Sequence, residues 1–299
     1  MKMLVLGSMN IDKIYRVHDF VKPKETIHVC SLDTSFGGKG FNQAIALSRA
    51  GSNVAFAGVV GTDGVRFIDL LANEQVDTHL IRQSTGANGH TIIQVNDDGE
   101  NCIMVAPGAN AETDPDYIRE VISQFSVGDW ILLQNEIANV DYAIKCAHEC
   151  GLNIAFNPSP YENGIAEYDL SAVQLLLVNE VEGEGLTGTS DPALMLDILL
   201  NRFPQTAVLL TLGENGAIFA DGCCERYHVD SVSCSVRDTT AAGDTFTGYF
   251  LTEYLQGNEI EYALETASMA SSIAVSREGA AESIPKKSEV VARLRKSTV

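Results

Sequence analysis

Short, nearly continuous apolar runs recur along the chain, separated by stretches whose apolar residues return every three or four positions. The runs fall at residues 3–7 (MLVLG), 54–59, 130–134 (WILLQ), 153–156, 175–178 and 207–211. Apolar at odd and even positions alike, they predict strands covered on both faces. The helical periods fall at 41–50, ended by Gly51, and at 65–73, 140–149 and 192–202. This alternation predicts an α/β fold with a mostly parallel central sheet flanked by helices.

Two places break the rhythm. Residues 11–17 with 26–36, and 90–95 with 101–105, read as further strands, the second pair joined through Asp98-Gly99 as a hairpin. They predict a small separate sheet spanning about 11–36 and 89–106, placed as a lid or a dimerisation surface; the competing reading is an edge extension of the main sheet. Residues 245–256 and 259–276 predict two long helices rich in Ala and Ser, suited to close packing behind a site. With no internal repeat or long linker, residues 1–299 read as one domain.

Charge narrows the partners. The 299 residues carry 20 Lys plus Arg against 40 Asp plus Glu, a formal net charge of −20, with no basic cluster. Nucleic acid and anionic membrane are therefore not expected as partners. A small anion is compatible, because local backbone donors bind phosphate inside a negative protein. No apolar run reaches membrane-spanning length, and the first residues do not read as a signal peptide. The seven cysteines, an odd number, suggest reduced thiols in the cytoplasm. Cys146 and Cys150 would share a helical face, but His148 points about 200° away, which argues against zinc. Vicinal Cys223 and Cys224 read as a turn or strand start.

Two segments carry candidate chemistry. In 237–246 (RDTTAAGDTF) small residues lead into a helix whose N-terminal N–H groups suit an anion, with Asp244 in the first turn. Such a carboxylate can accept a hydroxyl proton while the donors hold a transferred phosphoryl group, or it can simply cap the helix. In 36–44 (FGGKGFNQA) glycines precede a helix, and Lys39 and Asn42 add donors suited to sugar hydroxyls. This is not a Walker A loop, since Gly40 follows Lys39 where Ser or Thr is needed. Gly58, Gly61 and Gly64 read as turn residues.

Together, GGKGFNQAIALSRAG (37–51) and DTTAAGDTFTG (238–248) resemble the two signatures of the ribokinase-like (PfkB) family of carbohydrate kinases, and the resemblance runs from about residue 3 to 285. It implies a ribokinase-like sandwich with a small β-sheet lid. Asp244 would be the catalytic base, and the N–H groups of Ala241, Ala242 and Gly243 the anion hole. The commoner family pattern has Gly at position 241; the ribose-specific members look like this chain there. Asn10, Asp12, Gly38, Lys39, Asn42 and Glu136 would bind the sugar. Asn179, Thr211, Gly213 and Gly216 would bind ATP, with Glu182 reaching Mg2+ through water. The small residues Ala267 and Ser268 stand where ribose-specific members often place a larger polar residue near adenine. Asp238, Thr240, Ala274, Arg277, Gly279 and Ser283 would hold K+. The implied activity is ATP-dependent phosphorylation of the primary 5-hydroxyl of D-ribose by a cytoplasmic homodimer paired through the lid. Deoxyribose, a ketohexose, a sugar acid or a nucleoside are the competing acceptors, and a non-catalytic sugar sensor is the competing class.

Overall fold

A computed structural model describes residues 1–223 and 225–297. β1 (Met3–Leu6) is buried throughout, and its side chains divide by parity. Met3 and Val5 enter one hydrophobic cluster, Leu4 and Leu6 another on the opposite face, as successive strand residues must. The chain continues through β2 (Asn10–Arg16), β3 (Ser31–Gly37), α1 (Lys39–Ala50), β4 (Val54–Val60), α2 (Arg66–Asn73), β5 (Asp77–Gln83), β6 (Gly89–Val95) and β7 (Asn101–Ala106). Next come α3 (Pro115–Ile122), β8 (Trp130–Gln134), α4 (Val140–Glu149), β9 (Asn153–Asn157), β10 (Leu175–Asn179), α5 (Glu180–Thr187) and α6 (Pro192–Arg202). The last elements are β11 (Ala207–Thr211), β12 (Ala217–Ala220), β13 (Arg226–Val229), α7 (Ala242–Leu255), α8 (Ile260–Val275) and α9 (Lys287–Ser297).

Nine strands form one sheet in the order β13-β12-β11-β10-β9-β8-β1-β4-β5. All neighbours are parallel except the β11-β12-β13 edge. From β1 the chain steps outward through β4 and β5, then returns to β8 and steps the other way. The C-terminal ends of β1 and β8 are thus a topological switch point, where open α/β sheets leave a crevice. One core cluster takes in α1, α7 and α8, the other α3, α4 and α6.

The remaining strands form a second sheet, β3-β2-β6-β7, not an extension of the first. β2 pairs antiparallel with β3 and parallel with β6, and β6–β7 is the expected hairpin. The expected strand at 26–36 begins only at Ser31. β2 ends at Arg16, which pairs with Ser31, so the residues before Ser31 have no strand opposite them. The two edge strands, β5 and β13, lack a distinctive apolar pattern because edge strands are only partly buried.

α7 starts three residues before the expected position, so Asp244 lies within its first turn. α7 also crosses α1 closely. A Cβ on Gly248 would stand 2.8 Å from Leu47 N, so only glycine permits this approach. Among the described residues no helix is long and apolar enough to cross a membrane. Cys146 is buried and Cys150 exposed, whereas Cys224 lies outside the described residues.

Candidate active site

The N-terminus of α7 forms the floor of the site. Ala241, its N-cap, adopts a left-handed conformation (φ 58°, ψ 11°) with no side-chain cap. That turn takes the Ala242 N–H to Thr239 O at 3.2 Å and leaves the N–H groups of Ala241 and Gly243 without an acceptor among the described residues. Two of the three expected anion donors are therefore open, and the third closes the turn. Asp244 is nearly buried. Its carboxylate does not cap its own helix. Instead Oδ2 accepts from Asn42 Nδ2 at 3.0 Å and Oδ1 from Gln43 Nε2 at 2.9 Å, both on α1. The capping reading of Asp244 is thus replaced by a carboxylate held across two helices.

The expected sugar ligands gather at the switch point. Asn10 is buried, its Oδ1 accepting from Asn110 Nδ2 at 2.8 Å. Gly38 packs beside it, where a Cβ would lie 2.9 Å from Asn10 N. Glu136, just beyond β8, takes the Lys39 N–H at 2.8 Å and the Ser8 hydroxyl on its Oε2. This is possible because α1 starts against the end of β1: a Cβ on Gly40 would stand 2.5 Å from Ser8 N. Asp12 accepts from Thr91 Oγ1 at 2.5 Å. Burial pushes its carboxyl up to about 6; the Thr91 hydroxyl opposes the rise and nearby Glu136 adds to it. Lys39 shows the opposite balance. Burial pushes its ammonium down, but Asp244, Glu136 and Glu182 outweigh this and raise it above its ordinary value.

Two cavities meet at the α7 N-terminus and share Thr211, Thr239, Ala242 and Gly243. The smaller, about 220 Å³, is lined by Lys39, Asn179, Glu182, Ala241 and Asp244 among others. Asn10, Asp12, Gly38 and Glu136 lie outside it and connect through Lys39. The larger, about 820 Å³, is walled by Gly213, Gly216, Val232, Val236, Phe246 and Ser268 among others. Ala267 is buried and does not line it, and Ser268 Oγ donates to Asp230 O at 3.1 Å. Asn179 and Glu182 form a capping box at α5: Asn179 Oδ1 accepts from the Val181 and Glu182 N–H groups, and Glu182 Oε2 from the Asn179 N–H. This pair therefore builds its helix start as well as lining the small cavity.

Asp238 and the segment after α8 are stapled together. Asp238 Oδ1 accepts from Thr240 N (2.9 Å) and Oγ1 (2.6 Å), and Oδ2 from Gly279 N (3.0 Å). Burial pushes the Asp238 carboxyl up, but these bonds outweigh it and hold it below its ordinary value. Ala274 O accepts from Arg277 N at 3.0 Å. The Arg277 guanidinium pairs with Glu289, so its charge is engaged away from Asp238. The Ser283 hydroxyl donates to Ala280 O at 2.7 Å.

The residues that sequence reasoning missed are the supports: Gln43 behind Asp244, Thr91 on Asp12, Asn110 on Asn10 and Ser8 on Glu136. Gln43 follows Asn42 within a motif already singled out. Thr91 and Asn110 carry no local signal, because their partners lie 79 and 100 residues away. Asn42 Oδ1 and Gln134 Oε1 are buried without a hydrogen-bond partner.

Comparison with known proteins identifies relatives in sequence and in fold. The sequence profile of the pfkB family of carbohydrate kinases matches residues 1–287. The chain is 33% identical over 296 residues to the ribokinase of Haemophilus influenzae, covering 96% of each chain. Its fold superposes on the crystal structure of Cryptococcus neoformans ribokinase in complex with ADP with a TM-score of 0.85, at 30% identity, covering 98% of this chain and 99% of the other. It superposes on Arabidopsis thaliana ribokinase complexed with ribose and ATP with a TM-score of 0.81, at 26% identity over 98% of each chain.

Proposed function

The chain belongs to the pfkB family of carbohydrate kinases, ATP-binding phosphotransferases with an alcohol acceptor, and on that premise we propose that its acceptor is the primary 5-hydroxyl of D-ribose. The observation that carries this reading is the clustering of Asn10, Asp12, Glu136 and Asn42 at the switch point, linked through Lys39 and Asn42 to Asp244. Several polar groups converging on one polyol suit a pentose with vicinal hydroxyls. The relatives named ribokinase, one of them complexed with ribose and ATP, point the same way.

In this reading Asp244 takes the proton of the attacking hydroxyl, and the open N–H groups of Ala241 and Gly243 receive the phosphoryl group at the positive end of α7. Lys39, kept charged by its carboxylate neighbours, faces the same small cavity. The nucleotide occupies the larger cavity, its base against Val232, Val236 and Phe246. The small sheet closes over the sugar and excludes water.

Glu182 fits a magnesium ion that keeps its waters and the nucleotide's phosphates: it stands without a cluster of further acids among the described residues and has one carboxylate oxygen outside the capping box. Asp238 and the carbonyls around Ala274 and Gly279 fit a monovalent cation, because they offer hard oxygen donors and Arg277 is neutralised by Glu289. When bound, these ions supply positive charge to the phosphates and to the anion hole.

Leu32 and Met104 are exposed on one face of the small sheet and Ile103 and Val105 on the other, apolar surface of which a second copy would cover part in a homodimer. The described cysteines are free, in keeping with a reducing cytoplasm. A coupled assay across D-ribose, deoxyribose, ketohexoses, sugar acids and nucleosides tests the acceptor. Ribose should give the highest kcat/KM, and a higher value for another acceptor would overturn the assignment.

A further inference from the structure

Gln43 is fully buried, and each polar atom of its amide is engaged. Its Oε1 accepts from Gln134 Nε2 at 2.8 Å, at the end of β8. Its Nε2 donates to Asn157 Oδ1 at 3.2 Å, at the end of β9, and to Asp244 Oδ1 at 2.9 Å. Asn157 is anchored in turn, its Nδ2 donating to Leu177 O on β10 at 2.8 Å. Because Gln134 holds the oxygen end of the amide, only the donor end can face Asp244. A short polar chain therefore ties the Asp244 carboxylate to three adjacent strands of the large sheet.

With Asn42 on Oδ2 and Gln43 on Oδ1, the carboxylate cannot rotate without breaking both bonds. This matters because Lys39 attracts it from across the small cavity. Held by Asn42 alone, the carboxylate would be free to swing toward that ammonium and away from an attacking hydroxyl. We propose that Gln43 is a positioning residue for phosphoryl transfer: it reads the geometry of the sheet through Gln134 and Asn157 and fixes the plane of Asp244. The proposal rests on Asp244 acting as the base.

The test compares two variants of the full chain with the unaltered protein. Gln43→Met keeps length and removes both hydrogen-bonding functions. It should lower kcat with ribose about 10- to 100-fold, the usual consequence of a misplaced catalytic group, while sugar KM stays within about twofold. Gln43→Glu keeps the acceptor for Gln134 and donates to Asp244 only while the introduced carboxyl is protonated. The charged group it touches is Asp244 on α7, which Lys39 on α1 faces together with Glu182 on α5 and Glu136 after β8, and its other partners, Gln134 and Asn157, are neutral. Its kcat relative to the unaltered protein should fall as pH rises from 5.5 to 8.5, because ionisation places a like charge against Asp244, whereas the Gln43→Met ratio stays flat. A purely structural role would lower both variants without that pH-dependent divergence. The inference is overturned if Gln43→Met turns over within threefold of the unaltered protein, if its loss appears in KM, or if the two ratios run parallel with pH. Asp244→Asn assayed alongside separates the two levels. Retained turnover there defeats the base assignment itself, while its loss together with an active Gln43→Met defeats only the positioning role.

Discussion

Asp12→Asn should make the protein more stable and a worse sugar binder. The Asp12 carboxyl is pushed by burial to about 6 from an ordinary 3.8, with Glu136 adding to the rise. At neutral pH it is ionised, and holding it so in the fold costs about 3 kcal/mol. An asparagine avoids that cost and keeps an acceptor for the Thr91 hydroxyl. Its new N–H donors must still be satisfied, so the net gain should be about 1–2 kcal/mol. The sign follows from linkage. A carboxyl with a raised folded pKa imposes no penalty below about 3.8, a growing one between there and about 6, and the full penalty above. The stability difference between variant and unaltered protein should therefore be small near pH 4 and largest at pH 7, read by urea unfolding in the absence of sugar. The same substitution removes a charged acceptor from the sugar cluster and should raise ribose KM about 10- to 100-fold. A variant less stable at pH 7, or a stability gap unchanged between pH 4 and pH 7, would refute the reasoning.

Gly248→Ala should cost about 3 kcal/mol and at least tenfold in kcat, since the added methyl forces α7 off α1 and pulls Asp244 from Asn42 and Gln43; unchanged thermal unfolding would show that the crossing is loose. Ala241→Gly should leave stability within about 1 kcal/mol, because relief of the left-handed alanine is offset by the greater freedom of glycine in the unfolded chain. A loss above about 2 kcal/mol in calorimetry would contradict this. Turnover should rise when potassium replaces tetramethylammonium at constant ionic strength, and Asp238→Ala should abolish that response; equal rates in both salts would remove the cation from the mechanism.

The sequence by itself determined the layered α/β fold, because fully buried parallel strands are apolar at every position and helices are not. It also located the helix start at α7 and put Asp244 in its first turn, since small residues before a helix are a local signal. The proposed sugar ligands and cation loop came instead from family resemblance, because Asn10, Asp12 and Glu136 are unremarkable among 40 acids and their neighbours. Only the tertiary structure decided what these groups do to one another. Whether Asp244 caps its helix or faces α1, which N–H groups stay open around Ala241, and why Asp12 and Lys39 both titrate above their ordinary values depend on partners far away in sequence. Hydrogen bonds and charge interactions act through space over a few ångströms, whereas patterning reports only what neighbours along the chain require.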